Sequence, residues 1–414
     1  MNHEDREVLE VLEPTAFRRL RALRALRALR GKPKVTKGVM NNNNLVRLND
    51  WLRERKLDGA LLSSPYTLTW LTGYAAPIET GPDPFLGGSA LAWVQGEQLT
   101  AIASDAEAPA LRALGVTVQE YAGYTVQEPL ACTSRMAQVL QAVLAKDMNP
   151  VRGSVALEQQ ALSVALMSVA QVALPHAHWL PADSDLIALR AVKTEDELSK
   201  IRAALAVCDA AQAHVRQVLQ PGMTELDVWA SMRAQVESIA GTRIPMLADL
   251  VSGPRTAEIG GLPTPRVMQA GDAILFDFVP RLDGYWGDCC ATLFVGEPSE
   301  ALKRMRQVSH AALRHGISML RPGVRACDVD AALRKHIQDA GYEPYPHHTG
   351  HGVGVAYHEG PRIVPYETMV LEAGMVIALE PGVYVPGVGG ARMEDVMLIT
   401  PDGCEVLTQH LGDE

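Results

Sequence analysis

The chain has 414 residues, of which 47% are hydrophobic and 21% charged, and its formal net charge is −10. This is the composition of a globular protein, and it excludes disorder, collagen and coiled coil as descriptions of the whole chain. The acidic balance also lacks the basic footprint that is typical of nucleic-acid-binding proteins.

Length and cysteine content restrict the class of protein further. At roughly 100–200 residues per domain, the length predicts two or three domains. The six cysteines contain no CxxC pair, which is typical of reduced thiols in a cytoplasmic protein and not of a disulfide framework. The nearest candidate for a membrane span, residues 161–174, is too short to cross a bilayer. We therefore expect neither a membrane nor a nucleic acid as a partner.

The first forty residues form a basic tail that we leave out of the fold. Residues 14–40 contain nine Lys or Arg and no acidic residue. Arginines recur every third residue from Arg21 to Arg30, so they drift around a helix of period 3.6 and leave no clean apolar face. A disordered tail, a transit peptide and an upstream start codon with the true start near Met40 remain alternatives. The five acidic residues among the first thirteen argue against a transit peptide.

Residues 41–185 show the pattern of an α/β domain. An amphipathic helix is predicted over residues 44–57, and the strand-like segment GALLSS follows it. The segments SALAWV and QLTAIAS predict strands, and EAPALRALG predicts a helix. Alternation of strands and helices is typical of this fold class.

A third segment, residues 194–414, begins after a linker predicted at residues 186–193. Thr194 and Glu197 have the spacing of a capping box. Apolar residues then recur at steps of three or four as far as Leu219, which predicts a long helix.

Two stretches of the C-terminal segment repeat each other at an offset of 101 residues. LQPGMTELDVWASMRAQV begins at Leu219 and LRPGVRACDVDAALRKHI begins at Leu320, with seven of eighteen positions identical. Each is the end of one helix, a Pro-Gly turn and the start of another helix. We interpret this as a duplicated unit in a pseudo-twofold domain; two convergent Pro-Gly turns are the alternative.

The segment AILFDFVPRLDGYWGDCCATLFV predicts a β-hairpin. Asp283-Gly284 is the preferred type I′ turn pair, and apolar runs flank it. With these two residues as the loop, Asp277 lies opposite Cys290, and Asp277 and Asp288 become diagonal neighbours on one face. Two carboxylates on one face of apolar strands indicate a bound cation, unless that face is solvated.

Four histidines fall within twelve residues of the segment PHHTGHGVGVAYHEGP. They are His347, His348, His351 and His358. Intervening glycines let the backbone approach a ligand closely. This clustering favours a metal or catalytic site over separate core and surface histidines.

Two glutamates complete the pattern. Glu380 ends an apolar strand, and Glu394 lies at the start of the next one. A glutamate flanked by Val, Ile, Ala and Leu needs a partner, which is either a metal ion or, at a sheet edge, Arg392.

Together these segments supply five candidate metal ligands, and one of the five is an imidazole. Such an oxygen-rich set suits Mn²⁺, Co²⁺ or Zn²⁺. Five ligands exceed the number that one catalytic metal usually takes, so two divalent ions that share carboxylates are expected, and sites of this kind activate water. The ligands are Asp277, Asp288, His351, Glu380 and Glu394.

The order and spacing of these residues resemble those of the pita-bread-fold metallopeptidases. That family includes methionine aminopeptidase, aminopeptidase P and proline dipeptidase (prolidase). Residues 190–414 carry the resemblance strongly, and residues 41–185 are similar to the smaller N-terminal domain of the proline-specific branch. The implied fold class is α/β (α+β), with a creatinase-like N-terminal α/β domain followed by a pseudo-twofold pita-bread domain.

The resemblance also implies how the ligands divide between the two ions. Asp277 and Asp288 would hold one ion, and His351 and Glu380 the second. Asp288 and Glu394 would bridge them.

Further roles in catalysis follow from the same resemblance. His347 and His358 would face the scissile carbonyl and the tetrahedral intermediate. Glu380 would help to activate the bridging water and pass a proton to the leaving proline nitrogen. Tyr384 and Arg392 would line the pocket, where Arg392 can pair with a substrate carboxylate.

The chain departs from the family pattern at two places. Seventeen residues before Asp277, where relatives usually have a histidine that helps to hold substrate, the chain has Gly260. The usual Thr-Arg-Thr after the second aspartate is Cys-Ala-Thr here, so the thiols of Cys289 and Cys290 flank Asp288. We expect these thiols to be small buried residues and not redox groups.

The expected function is hydrolysis of Xaa-Pro bonds by an Xaa-Pro dipeptidase that uses two divalent ions, Mn²⁺ first and Co²⁺ or Zn²⁺ as alternatives. Proline-containing dipeptides or short peptides are the expected substrates, and the family suggests a homodimer. An aminopeptidase P acting on longer peptides shares every motif quoted. A creatinase-type hydrolase would not need all five ligands, and a non-catalytic binding protein on this fold is favoured only by Gly260.

Overall fold

The computed structural model describes residues 43–78, 85, 87–146 and 152–412. The basic tail at residues 1–40 lies outside this part of the chain, and so do the alternatives raised for it. The described residues divide into two compact units, with the boundary between Arg190 and Ala191.

The first unit is an α/β domain built on a six-stranded mixed sheet. Its strand order is β4-β3-β2-β1-β5-β6, with β1–β5, β3–β4 and β5–β6 parallel and the other pairs antiparallel. The strands β1 to β6 are Leu57–Leu62, Leu91–Gln95, Gln98–Ser104, Thr117–Tyr121, Ser154–Leu157 and His178–Pro181. The helices α1 to α6 are Asn43–Glu54, Pro65–Thr72, Ala108–Ala113, Cys132–Ala145, Val164–Ala173 and Asp183–Ala191.

Helix α6 occupies most of the segment that was expected to be a linker. Residues 186–193 were expected to be linker, but the helix continues through Ala191. Two physical reasons account for it: Leu186 is fully buried, and Asp183 and Asp185 place negative charge in the first turn, where the helix dipole favours it.

The described part of the second unit contains four long helices and three antiparallel sheets, of four, five and two strands. Helices α7 to α10 are Glu195–Val218, Glu225–Ala240, Glu300–Met319 and Ala326–Asp339. Strands β7 to β10 are Met246–Ser252, Ala273–Leu282, Tyr285–Trp286 and Cys290–Phe294, and β10-β8-β7 form one sheet. Strands β11 to β17 are Gly350–Gly352, Glu359–Ile363, Val376–Leu379, Gly382–Val385, Gly389–Arg392, Asp395–Ile399 and Cys404–Val406. Their main sheet has the order β12-β11-β13-β16-β17, and β14 pairs with β15.

Helix α7 forms as the sequence predicts. Thr194 and Glu197 make both hydrogen bonds of the capping box, and the apolar stripe is buried along the length of the helix, with Ile201, Cys208 and Val215 fully covered.

The repeated Pro-Gly turn that the sequence predicts is present in the backbone. Leu219 and Leu320 cap their helices with nearly equal dihedral angles, φ −64° and ψ 120° against φ −68° and ψ 114°. Gly222 and Gly323 follow at φ 92° and 91°, a region that favours glycine. The same turn is therefore built twice.

The predicted hairpin register is confirmed. Asp283 and Gly284 have φ of 49° and 85°, as a type I′ turn requires. Asp277 pairs with Cys290 in β10, and on its other side with Asp249 in β7.

Candidate metal centre

Acidic residues and histidines that lie on or next to strands of the second unit converge on one cavity of about 670 Å³. Most of its wall away from these groups is apolar. The polar and charged residues that line it include Asp249, Asp277, Asp288, His347, His348, His351, His358, Glu380, Arg392 and Glu394.

Three expected ligands meet at the centre of this cavity. Asp288, His351 and Glu394 offer ligand atoms that all lie within 4.8 Å of one another, and all three side chains are buried. Strand β11 places His351, and the Glu394 amide donates to the carbonyl of Cys290 at 3.0 Å, which ties it to β10.

Burial and mutual repulsion act on the two carboxyls of this group. Burial, and then the charge of Asp277, raises the pKa of Asp288 well above its usual range. Burial, and then the charges of Asp288 and Asp277, does the same to the pKa of Glu394. The protein therefore holds two carboxyls together at a free-energy cost that a cation would offset.

His351 presents a nitrogen suited to metal binding. Its Nδ1 donates to the carbonyl of Gly352 at 3.0 Å, so Nε2 keeps its lone pair. That Nε2 lies 3.4 Å from Asp288 Oδ2 and 3.7 Å from Glu380 Oε1. Burial lowers the pKa of His351 to about 4, which keeps the ring neutral at physiological pH.

The carboxylate of Asp277 lies in the same cavity but is directed toward an arginine. Arg392 Nη2 donates to Asp277 Oδ2 at 2.6 Å. Burial raises the pKa of Asp277 to about 6, although the nearby guanidinium lowers it.

Glu380 is held by a histidine that the sequence did not single out. Arg362 donates to His348 Nδ1 at 2.8 Å, so His348 Nε2 carries the proton, and this nitrogen lies 2.7 Å from Glu380 Oε1. Burial alone would raise the pKa of Glu380, but the His348 hydrogen bond and the Arg392 charge bring it below its usual range. Glu380 is therefore an ionised carboxylate.

Arg392 is buried and its guanidinium is shared among several acceptors. Nη1 donates to the carbonyl of Ile259 at 2.8 Å and to the hydroxyl of Tyr384 at 3.2 Å. Its Nε lies 3.8 Å from Glu380. This arginine positions neighbours in the structure, and its pairing with a substrate carboxylate stays a prediction.

His347, Tyr384 and Arg392 form a hydrogen-bonded chain. His347 Nδ1 donates to the carbonyl of His348 at 2.8 Å, and its Nε2 accepts from the Tyr384 hydroxyl at 2.9 Å. Burial lowers the pKa of His347 to about 4, so the ring is neutral and its tautomer is fixed.

His358 also lines the cavity and is an exposed residue. Its ring centroid lies 4.3 Å from that of His351. Desolvation, and then the neighbouring His351 and His348, lowers the pKa of His358 to about 3. His348, His351 and His358 also offer nitrogens within 4.8 Å of one another.

The donor set fits divalent metal ions. Oδ1 of Asp277 and Oε2 of Glu394 are buried, and within the described part of the chain neither has a hydrogen-bond partner. Divalent cations bound in the cavity would give both oxygens a partner and relieve the raised pKa values of the carboxyls. Oxygen ligands with one imidazole are the set expected for such ions.

Two features of the cavity were missed by the sequence analysis. Asp249 lies on β7 directly across from Asp277, and only the strand pairing reveals this. Ile259 adopts φ 79° and ψ −47°, close to the γ-turn region that is strained for a β-branched residue.

The thiols of Cys289 and Cys290 are fully buried, as expected, and burial raises the pKa of both.

Comparisons with known proteins identify two matching family models. The model for metallopeptidase family M24 matches residues 199–401, and the model for the creatinase/prolidase N-terminal domain matches residues 45–192. A similar relative is the Xaa-Pro dipeptidase of Lactobacillus delbrueckii subsp. lactis, which is 31% identical over 383 residues and covers 90% of this chain and 98% of the relative.

Solved structures are similar over both units. The Xaa-Pro dipeptidase from Bacillus anthracis has a TM-score of 0.74 and 26% identity, covering 88% of this chain and 97% of its own. The X-Pro aminopeptidase from Thermotoga maritima MSB8 has a TM-score of 0.75 at 23% identity, covering 88% and 97%, a likeness of fold alone. Within the described residues, every helix is too short or too polar to span a bilayer.

Proposed function

The chain belongs to metallopeptidase family M24, and from that premise we propose that it hydrolyses Xaa-Pro dipeptides with two divalent metal ions. The observation that carries the proposal is the meeting of Asp288, His351 and Glu394 within 4.8 Å in a buried pocket. The names of its relatives support the bond cleaved, because both the Lactobacillus and the Bacillus anthracis proteins are Xaa-Pro dipeptidases.

Five side chains would hold the ions, as the sequence suggested. They are Asp277, Asp288, His351, Glu380 and Glu394. Metal ions there would polarise the scissile carbonyl and make water nucleophilic at neutral pH. Mn²⁺ is our first choice, supported by the oxygen-rich donor set.

Glu380 is suited to move the proton of the attacking water. It is ionised because His348 and Arg392 lower its pKa, so it can accept a proton and pass it to the leaving proline nitrogen. The contact with His348 fixes one of its oxygens during this step.

His358 is suited to stabilise the oxyanion. A neutral imidazole carries one N–H, and the lowered pKa of His358 keeps the ring neutral, so this one N–H is available to donate a hydrogen bond to the oxyanion. His347 would act together with Tyr384, since its Nε2 accepts from the tyrosine hydroxyl. Arg392 then orients both Tyr384 and Asp277.

The oligomeric state and the cellular compartment of the protein are part of the same proposal. Free thiols at all six cysteines support a reducing, cytoplasmic setting. We also propose a homodimer, on the expectation from the family, and light scattering of the purified chain tests it.

Proline release from Ala-Pro, measured beside cleavage of Ala-Pro-Ala after loading with Mn²⁺, tests the proposed function. We expect turnover of the dipeptide and its loss in Asp288→Asn. Preference for the tripeptide would replace the dipeptidase with aminopeptidase P. Turnover of neither peptide by a chain that binds two ions would contradict both and leave the binding role.

A further inference from the structure

The carboxylate of Asp249 fills the space beside Gly260. A Cβ added at residue 260 would lie 1.9 Å from Asp249 Oδ2 and 2.5 Å from its Cγ. The φ of Gly260 lies outside the left-handed region, so the backbone itself would accept a side chain. A side chain at residue 260 would therefore force the Asp249 carboxylate out of this position, and glycine leaves room for it.

Asp249 is held in this place from two sides. Its Oδ1 accepts from the Gly261 amide at 2.9 Å, and the Leu250 amide donates to the Gly261 carbonyl at 3.0 Å. Asp249 on β7 pairs directly with Asp277 on β8, so both side chains lie on the same face of the sheet, and Asp277 is an expected metal ligand.

Asp249 shares its cationic neighbour Arg392 with two other carboxylates. Arg392 Nη2 lies 3.5 Å from Asp249 but 2.6 Å from Asp277, and the Arg392 Nε is 3.8 Å from Glu380. One guanidinium thus serves three carboxylates. The Asp249 side chain keeps 41% of its surface exposed and lines the cavity.

Apolar side chains line the same cavity as the Asp249 carboxylate. Leu247 and Leu262 line the cavity and are 48% and 76% exposed, and Leu226 and Trp229 continue the wall from α8. A cavity lined by apolar side chains and a carboxylate fits an aliphatic chain that ends in a cation, because the aliphatic part packs on the apolar side chains and the cation pairs with the carboxylate.

We propose that Asp249 determines specificity by favouring substrates whose residue before proline has a basic side chain. The inference rests on the proposed function. The cation would be the ammonium of lysine or the guanidinium of arginine, paired with the part of the Asp249 carboxylate that is exposed to the cavity.

Lys-Pro and norleucyl-Pro test the proposal, since they differ in charge but little in length. Because Asp249 is partly exposed, we expect kcat/KM to favour Lys-Pro about twofold to fivefold. The ratio should fall to about one in Asp249→Asn, which retains the acceptor for Gly261. Asp328→Asn, an exposed change in the first turn of α10, is the matched control and should keep the wild-type ratio.

Two results would overturn the assignment. If Asp249→Asn lowers kcat/KM for both dipeptides equally, the carboxylate binds the α-ammonium that they share. If the kcat/KM of the wild type shows no preference for Lys-Pro over norleucyl-Pro, Asp249 does not discriminate substrates by their charge.

Two measurements separate this inference from the proposed function. In thermal unfolding of the metal-free chain, Gly260→Ala should lower Tm by about 3–6 °C through overpacking, but by less in an Asp249→Ala background. Equal losses in both backgrounds would refute the steric exclusion. In the Mn²⁺-loaded protein, free lysine should raise Tm more than norleucine does, and Asp249→Asn should abolish the difference; equal shifts in wild type would refute the cation site even if no dipeptide is cleaved.

Discussion

Replacing Glu394 by glutamine should raise the stability of the metal-free protein and reduce the additional stability that the protein gains from bound metal. Glu394 is 1% exposed, and within the described residues its Oε2 has no hydrogen-bond partner. Burial, followed by the charges of Asp288 and Asp277, raises its pKa well above the usual range. Glutamine keeps the shape and removes the charge, so the metal-free variant should be more stable than the wild type.

The structure sets the size of this gain. Like charges 4.8 Å apart, the separation limit of the Asp288, His351 and Glu394 atoms, repel by about 3 kcal/mol at an effective dielectric constant of about 20. Protonation sets a second limit: keeping a carboxyl of ordinary pKa protonated at about pH 7 costs about 3 kcal/mol. We expect a gain of about 1–3 kcal/mol in the free energy of unfolding at about pH 7.

The sign of the pH dependence follows from the raised pKa of Glu394 in the folded state. The folded chain binds a proton that the unfolded chain releases above about pH 4.5, so wild-type stability falls as pH rises from there. The advantage of Glu394→Gln should therefore shrink below about 1 kcal/mol at about pH 5.

Urea unfolding of chelator-treated protein at both pH values measures the gain, with Glu343→Gln, an exposed change in the same unit, as control. Added Mn²⁺ should then stabilise the wild type more than the variant. A metal-free variant that is less stable than wild type, or an equal gain at both pH values, would refute the reasoning.

Three further predictions concern single side chains around the site. Burial lowers the pKa of His351 to about 4, so metal-free wild type should lose about 3 kcal/mol relative to His351→Gln as pH falls from about 6.5 to 4; a pH-independent difference in urea midpoints would contradict this. Ile259→Gly should be about 1 kcal/mol more stable than Ile259→Ala, because glycine relieves the strain at φ 79°, and the reverse order in denaturant unfolding would exclude strain. His348→Ala should lower kcat at least about threefold by freeing Glu380, while His348→Gln should retain more activity; equal losses would assign His348 a packing role.

The sequence predicted what depends on local rules. The Asp283-Gly284 turn determines a register, and that register alone placed Asp277 opposite Cys290, as the structure has it. The capping box at Thr194 and the repeated Pro-Gly turn are equally local signals, and both are present.

The remaining features depend on contacts between distant segments. Asp249 precedes Asp277 by 28 residues, and only the β7–β8 pairing brings them together. His348 precedes β11 and Glu380 follows β13, and their contact depends on the pairing of these two strands, so the sequence showed a cluster of histidines without showing which one holds the glutamate. Gly260 was recognised as a departure, but the carboxylate that fills its space was not, because a clash at 1.9 Å is a property of the folded chain.

Metal content and proline release, measured on the same Mn²⁺-loaded sample with Ala-Pro as substrate, test the central claim most directly. We predict two ions per chain with turnover, and loss of both bound metal and turnover in Asp288→Asn. Turnover by the chelator-treated chain, or full activity in Asp288→Asn, would contradict the account.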